Sequence, residues 1–451
     1  MKMRLFGTDG IRGRVNTYPM TPENVLRIGM AAAIVLGKKH HGRNAVLIGK
    51  DTRLSGYMIE SALTSGICSM GMNVTLVGPL PTPGIAYLTR TLRIDAGVVI
   101  SASHNPFYDN GIKFFSYNGF KLPDDVEKKI EELVKDNSLE RYRARGEEIG
   151  KAYRLDDATG RYMEYIKSTL KKGAAFEGMK VVIDCANGAS YKTTPLLLRE
   201  LGAEVISIND KPDGININNR CGALHMEGLR NAVLQHKADA GIAHDGDADR
   251  TLLCDEKGSI IDGDRIMGMC AVDMNARGEL KKSTVVSTVM SNLGLEKYLE
   301  KNNIRLLRTK VGDRYVVEKM LQDNCNFGGE QSGHIIFLDY NTTGDGQITA
   351  VQALNLMKNK NVSLSKLVSP IKLFPQVLMN VEVGKKQDIR AVPAVMDALR
   401  AAEQKLAGRG RILVRPSGTE PKIRVMLEGD DIKLINRIGR DVSKVIRENM
   451  Q

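Results

Sequence analysis

Over roughly its first 370 residues this chain alternates short apolar runs with amphipathic stretches of helical period. That alternation constrains the fold most, because parallel strands need crossover connections and helices supply them. "AVLIGKDTR" (45–53) reads as a strand opening into a loop, followed by the helix "SGYMIESALTSGICSMG", the strand "NVTLVG" and the turn "PLPTPG". Upstream, Thr21 and Pro22 supply an N-cap and first turn for a helix through about Lys38. A second unit starts at the strand "MKVVIDCANG" (179–188) and reaches "DAGIAHDGDADR" (239–250), and a third runs from "STVVSTVMS" to "CNFGGEQSGHIIFL". From about Phe374 the pattern changes to "QVLMNVEV", a long helix, "GRILVRPSGTEPKIRVMLEG" and a final helix, the mark of a smaller α+β unit. The 451 residues exceed what one core serves, so about three or four domains of roughly 100–150 residues are expected. The polar segment from Asn137 to about Thr159 reads as the first linker. "DAG" precedes a strand and then a polar loop at Asp95–Gly97 and again at Asp239–Gly241, a sign that the α/β units share a topology.

Composition excludes several classes. The N-terminal "MKMRLFGTDG" lacks the apolar core of a signal peptide, and no apolar run has the length of a membrane span. The six cysteines are scattered with no close pair, as expected of reduced thiols in a cytoplasmic enzyme. The net charge of +12 raises the question of a nucleic-acid partner, yet no basic block carries it. Trp is absent and aromatics are 5%, which argues against a stacking platform for single strands or sugar polymers. An anionic small substrate accounts for the charge equally well.

The polar loops carry the chemistry. In "VVISASHNPFYDNGIKFF" (98–115) a core strand ends abruptly in Ser103 and His104, with Lys113 following. Strand ends of that kind are where α/β sheets present ligand crevices, so Ser103 is a candidate nucleophile and His104 a candidate proton relay. Adjacent side chains on an extended chain point apart, so the pair is no triad by itself. In "HDGDADR" Asp245, Asp247 and Asp249 repel one another unless a cation compensates them. An EF-hand is excluded, because its glycine position falls on Arg250 and a strand follows at once. Three oxygens with open coordination positions suit Mg²⁺ shared with a phosphate. In "RPSGTEPKIR" (415–424) Ser417, Gly418 and Thr419 offer N–H and hydroxyl groups between Arg415 and Arg424, a phosphate cradle without P-loop spacing. "GGEQSGH" (328–334) places Glu330, Ser332 and His334 in a glycine-bounded loop, a clamp for vicinal hydroxyls with a candidate acid or base. "FGTDGIRG" and "GKDTR" add Arg12 and Arg53, both expected near phosphate.

Together, in order, "FGTDGIRG", "GKDTRLSGYM", "ISASHNPFYDNGIKFFS", "DCANGA", "DGDADR", "KVGDRYV", "GEQSGH" and "RPSGTEP" resemble the α-D-phosphohexomutase superfamily over essentially the whole chain, with wording that points to its glucosamine branch. The resemblance implies an α/β fold of four domains around a central cleft: three α/β domains of shared topology (1–155, 156–256 and 257–370) and a C-terminal TATA-binding-protein-like α+β domain (371–451). By the same resemblance Ser103 carries a phosphoryl group, and Mg²⁺ is held by that phosphoserine with Asp245, Asp247 and Asp249. Thr309, Gly312, Glu330 and Ser332 contact sugar hydroxyls. Arg415, Ser417, Gly418, Thr419 and Arg424 hold the idle phosphate. Arg12, Lys113 and Arg250 lie near the transferred group, and Lys113, His104 and His334 remain unranked candidates for proton transfer. The implied reaction interconverts glucosamine 6-phosphate and glucosamine 1-phosphate on the route to UDP-N-acetylglucosamine and cell-wall precursors. Glucosamine 1,6-bisphosphate or another sugar 1,6-bisphosphate serves as activator. A homodimer formed through the first domain is implied as well, with no nucleic-acid or membrane partner. The rivals are a glucose- or mannose-phosphate mutase of the same superfamily and a non-catalytic sugar-phosphate sensor. One departure stands out: family members commonly show glycine where Ala248 stands. If that backbone requires a positive φ, alanine strains the loop by roughly 1 kcal/mol or more.

Overall fold

The computed structural model describes residues 5–7, 9–37, 43–136, 138–384, 388–416 and 422–450. Strands β1 (Ile11–Arg14), β2 (Ala45–Lys50), β3 (Asn73–Pro79), β4 (Ala96–Ile100), β5 (Asp109–Ser116) and β6 (Ala152–Arg154) form a sheet ordered β1-β5-β4-β2-β3-β6. A second sheet, β11-β10-β9-β7-β8, comprises β7 (Lys180–Asp184), β8 (Glu204–Ile208), β9 (Ala240–His244), β10 (Thr251–Asp255) and β11 (Ile260–Ile261). A third, β13-β12-β14-β15, comprises β12 (Thr284–Thr288), β13 (Arg305–Thr309), β14 (Phe327–Gly329) and β15 (Ile335–Phe337).

The same four-strand pattern recurs in all three. A central strand (β2, β7, β12) pairs in parallel with the next strand in the chain and, on its other side, with the one after that. The last of these (β4, β9, β14) then turns back into an antiparallel partner (β5, β10, β15). Parallel strands buried on both faces read as continuous apolar runs, and β2, β4 and β9 are buried at every residue. The "DAG" repeat has a mechanical meaning here. Asp95 Oδ2 accepts from Ala45 N at 3.1 Å, and Asp239 Oδ2 accepts from Lys180 N at 2.8 Å. Each aspartate thus clamps the first residue of the central strand from the start of the strand beside it.

Helix Pro22–Leu36 begins as expected, with Thr21 Oγ1 accepting from Asn24 N and Pro22 in the first turn. It packs on helix Ser55–Ser69 at two glycines: a Cβ on Gly29 would lie 2.7 Å from Leu63 O, and one on Gly66 2.2 Å from Leu26 O.

By compactness the chain divides into two units, Met1–Met290 with Ile304–Ser369, and Ser291–Asn303 with Pro370–Gln451. The second unit carries a three-stranded antiparallel sheet, β16-β18-β17, of β16 (Gln376–Glu382), β17 (Gly410–Pro416) and β18 (Lys422–Gly429). Ile423, Val425 and Leu427 alternate along β18 and share a core with Val395, Leu406, Ile435, Ile438 and Val442 of the two long helices, the period-two pattern of a half-covered sheet.

One sequence expectation shifts. The segment read as a linker contains β6, which pairs with β3 although all three of its residues are exposed. Its hold is backbone bonding, as in Leu155 N to Leu76 O at 2.9 Å, and so short an exposed edge leaves no apolar alternation to read. The second sheet extends through β11 to Ile261. By compactness residues 291–303 group with the C-terminal unit.

Asp95→Ala leaves the Ala45 amide buried without its side-chain acceptor, so a loss of about 1–3 kcal/mol in unfolding free energy is expected. Chemical denaturation monitored by circular dichroism reads it, and an unchanged midpoint would show that the clamp contributes nothing.

Candidate active site

Three loops that close the repeated antiparallel turns, 101–108 after β4, 245–250 after β9 and 330–334 after β14, occupy equivalent positions in the three sheets. All lie at the C-terminal ends of parallel strands, the edge where open α/β sheets bind ligands. Ser103 is buried and sits at φ 51°, in the left-handed region. Its amide donates to Ser101 Oγ (2.9 Å), and Ser101 Oγ donates to Asp51 Oδ2 (2.6 Å). Ser103 Oγ donates to Asp245 Oδ2 at 2.6 Å and lies 3.3 Å from His104 Nδ1. The neighbouring imidazole reaches the hydroxyl because the chain is not extended at Ser103, contrary to the expectation that the two side chains diverge.

In the second loop, carboxylate oxygens of Asp245, Asp247 and Asp249 lie within 4.8 Å of one another. At an effective dielectric of about 20, each such pair of charges repels by roughly 3 kcal/mol. Three pairs would rival the net stability of a domain, about 5–15 kcal/mol, so compensation is required. Lys113 supplies part of it from β5: its Nζ donates to Asp247 Oδ2 at 2.8 Å and lies 3.5 Å from Asp249 Oδ2. Burial alone would raise the Asp247 pKa, but Lys113 outweighs it and holds that carboxyl well below its usual range. Thr82 donates to the same oxygen at 2.7 Å. Asp245 accepts from Ser103 Oγ and from the Arg250 backbone N (3.2 Å), but burial, then Asp249 and Asp247, outweigh these and Arg250 and push its pKa well up. Asp247 Oδ1 and Asp249 Oδ1 are buried without a hydrogen-bond partner. Unsatisfied carboxylate oxygens in so tight a cluster fit a hard divalent cation, with Ser103 Oγ 2.6 Å from Asp245. Ala248, between two of the aspartates, sits at φ 55°. The strain anticipated for alanine is therefore present, at about 1 kcal/mol.

A cleft of about 460 Å³ opens beside these groups, with Arg12, His104, Asp249, Arg250, Glu330 and His334 among its walls. Charges alternate along it. Asp9 Oδ2 lies 3.3 Å from Lys113 Nζ and pairs with Arg12; Lys121 bridges Asp9 and Asp313; Asp313 Oδ2 lies 3.5 Å from His334 Nε2. Burial opposes ionisation of Asp9, but Lys113, Lys121 and Arg12 outweigh it and hold its pKa well below the ordinary value. Burial also opposes the Lys113 charge, and Asp247, Asp9 and Asp249 reverse that, so Lys113 stays a fixed cation among these carboxylates. Burial, then Arg250 and Arg12, bring His104 down to about 4, leaving a neutral imidazole at pH 7. Both ring nitrogens of His334 are buried without a hydrogen-bond partner. Glu330 Oε1 accepts from Gly312 N at 3.2 Å, tying the third loop to the turn after β13.

In the second unit, Arg415 and Arg424 face each other across β17 and β18. Burial, then Arg424, lower the Arg415 pKa, and Arg424 Nε is buried without a partner. Two guanidinium groups side by side at a strand end call for an anion. Ser417, Gly418 and Thr419, named for the same cradle, lie outside the described residues.

Comparison with known proteins agrees with this geometry. Phosphoglucomutase/phosphomannomutase domain families match in order: alpha/beta/alpha domain I over residues 3–141, domain II over 160–258, domain III over 262–374 and the C-terminal domain over 378–445. The chain is 53% identical over 450 residues to the phosphoglucosamine mutase of Syntrophotalea carbinolica, covering 100% of this chain and 98% of the relative. It is 55% identical to that of Thermodesulfovibrio yellowstonii, covering 98% and 99%. The chain belongs to the phosphoglucosamine mutases of the α-D-phosphohexomutase superfamily. A phosphoglucomutase/phosphomannomutase family protein from Burkholderia thailandensis shares the fold with a TM-score of 0.82 at 23% identity, over 99% of this chain and 98% of that one. An Aspergillus fumigatus N-acetylphosphoglucosamine mutase, solved with GlcNAc-6P and magnesium, does so at 0.67 and 16%, over 100% and 96%. Among the described residues no helix is long and apolar enough to cross a membrane.

Relative to that family pattern, Ser103, His104, Lys113, Asp245, Asp247, Asp249, Arg250, Arg12, Glu330, His334 and Gly312 come together around or beside the cleft. Ser332 is exposed at the tip of its loop and Thr309 ends β13; neither is among the residues lining the cleft. Arg53, expected near phosphate, is wholly buried and committed elsewhere. Sequence reasoning missed Asp9, Thr82, Lys121, Asn218 and Asp313. Thr82 passed as part of a turn, and its place just after β3, opening the helix Thr82–Thr91, was the signal available.

His104 and the buried His244, also lowered to about 4 by burial, set a pH dependence. Below pH 6.5 the unfolded chain gains protons that the folded state refuses, so each histidine costs stability progressively as pH falls from 6.5 towards 4. Thermal midpoints of His104→Asn relative to the parent should improve steadily over that range, and a difference independent of pH would contradict the neutral buried imidazole.

Proposed function

We propose that this chain interconverts glucosamine 6-phosphate and glucosamine 1-phosphate through phosphorylated Ser103 and a sugar bisphosphate. The observation that carries the reading is Ser103 Oγ, mounted at the end of a core strand, 2.6 Å from the foremost of three clustered aspartates and beside the cleft. Sequence identity above one half with phosphoglucosamine mutases over the full chain supports the amino sugar as substrate.

Asp245, Asp247 and Asp249, with the Ser103 phosphate, would hold Mg²⁺, as the magnesium in the Aspergillus fumigatus complex encourages. Bound there, the ion neutralises charge on the transferring group. The rest falls to the chain. Phosphorylated Ser103 gives its group to the C1 hydroxyl of glucosamine 6-phosphate: the Oγ–P bond breaks, the O1–P bond forms, and the hydroxyl proton leaves to a base. The bisphosphate turns over in the cleft, and its 6-phosphate returns to Ser103: the O6–P bond breaks, the Oγ–P bond forms, the serine hydroxyl proton passes through the base to O6, and glucosamine 1-phosphate leaves. A free sugar 1,6-bisphosphate primes the unphosphorylated enzyme by the same step. Arg12, Lys113 and Arg250 stabilise the transferring oxygens as fixed cations. Lys113, ringed by carboxylates, suits that task better than proton abstraction. His104, neutral and 3.3 Å from Ser103 Oγ, and His334, with both nitrogens free of hydrogen bonds, are the proton-transfer candidates. Glu330 takes sugar hydroxyls, aided by Gly312, Ser332 and Thr309, and the paired Arg415 and Arg424 take the idle phosphate with Ser417, Gly418 and Thr419.

With Mg²⁺ and a sugar bisphosphate present, kcat/KM for glucosamine 6-phosphate should exceed that for glucose 6-phosphate and mannose 6-phosphate by tenfold or more, about 1.4 kcal/mol of transition-state discrimination. Equal or faster turnover of the neutral sugars would keep the chemistry and overturn the substrate. Ser103→Ala should lose turnover by about a thousandfold or more; full activity in that variant would overturn the mechanism.

A further inference from the structure

Ser103 holds a left-handed φ of 51°, which a side chain other than glycine adopts at a cost and keeps only when its surroundings over-determine it. Two side chains distant in sequence provide that constraint. Arg53 is fully buried and spends every N–H of its guanidinium on the serine loop and its support. Its Nε donates to Asp51 Oδ2 (2.8 Å), its Nη1 to the carbonyls of Pro106 and Asp109, and its Nη2 to those of Ser103 (2.9 Å) and Asn105 (2.8 Å). From the second sheet's domain, Asn218 Nδ2 donates to the same two carbonyls, Ser103 O at 2.9 Å and Asn105 O at 3.1 Å. Asn218 is itself anchored, its amide donating to Ala186 O at 2.9 Å in the "CANGA" turn.

The acidic loop closes on this junction. A Cβ on Gly246 would lie 2.6 Å from Ser103 O and 2.8 Å from Asn218 Nδ2, so the loop bearing Asp245 and the loop bearing Ser103 meet with one carbonyl between them. Neither Arg53 nor Asn218 is among the residues lining the cleft.

We propose that Arg53 and Asn218 are positioning residues for phosphoryl transfer, pinning the carbonyls of Ser103 and Asn105 so that the serine oxygen keeps its place against Asp245. The proposal rests on the reading of Ser103 as the phosphoryl carrier. Its physical need follows from that role. The serine loses about two negative charges in one half-reaction and regains them in the other, beside three carboxylates, and an unpinned loop would recoil each time. Arg53 fixes the loop to its own sheet, and Asn218 fixes it to the domain that supplies the aspartates. A displacement of about 1 Å at the reacting atom can lower a rate about a hundredfold.

Asn218 is the position to vary, because its φ of 58° is open to glycine and to aspartate without added strain. Asn218→Gly removes the amide; Asn218→Asp keeps the shape and replaces the donor with an acceptor facing two carbonyl oxygens. Steady-state kcat and KM for glucosamine 6-phosphate, with Mg²⁺ and saturating sugar bisphosphate, are measured beside thermal midpoints. The expected result is a fall in kcat of tenfold or more in both variants, larger for Asp, with KM within twofold and midpoints within a few degrees of the parent. Arg53→Lys, which replaces a five-pronged donor by one ammonium, should lower kcat in the same sense. Parental kcat in both Asn218 variants, or a loss that tracks a lowered midpoint, would overturn the proposal. Ser103→Ala run in parallel separates the two claims: its inactivity beside active Asn218 variants rejects the positioning role alone, whereas its activity rejects the phosphoserine reading.

Discussion

Three carboxylates crowded into one buried loop are the constraint on which the rest of this site depends. Asp245, Asp247 and Asp249 cannot all stay ionised at that separation without compensating positive charge. Lys113 answers Asp247 and reaches Asp249, and Thr82 adds a neutral donor. Asp245 is held by the Ser103 hydroxyl and the Arg250 backbone N–H, and the Arg250 charge does not outweigh its burial and its carboxylate neighbours. The site is therefore electrostatically incomplete at the spot where a phosphoserine and a cation would meet. That incompleteness costs stability, as expected of a functional centre.

The compensation spreads outward as an alternation of charge: aspartates of the second domain, Lys113 and Lys121 of the first, Asp9 from the N-terminal motif, Asp313 and His334 of the third. Each cation touches carboxylates on two loops, so three sheets with their own cores share one electrostatic network. Such a network fixes where cationic groups point before a substrate arrives, which is the preorganisation that phosphoryl transfer demands. Rigid mounting comes from the repeat. Each of the three loops follows a parallel strand packed against its central neighbour, and the aspartates of "DAG" lock two of those pairs at their opposite ends.

Much of this was legible in the sequence because polar residues interrupted apolar runs at regular places. Ser103 after "VVI" and the aspartates after "AGIAH" break the hydrophobic pattern where a purely structural strand would not. Residues whose meaning depends on burial or on distant contacts were misread or missed. Arg53 carries a charge that reads as a phosphate ligand, and its complete burial inside the serine loop is invisible without the fold. Asn218 sits 115 residues from the carbonyl it holds, in a stretch whose composition says only that it turns. The proximity of His104 to the Ser103 hydroxyl followed from one left-handed dihedral, which no local propensity announces. β6 was lost because three exposed residues carry no periodic signal.

The central claim, that the aspartate cluster lacks a positive charge which a cation supplies, is tested most directly by thermal unfolding of the parent and of Asp245→Asn, each with chelator and with Mg²⁺. Without metal, Asp245→Asn should be the more stable protein, since it removes one of three repelling charges, and Mg²⁺ should raise the parental midpoint while moving the variant far less. A variant less stable than the parent in chelator, together with a parent indifferent to Mg²⁺, would contradict the account.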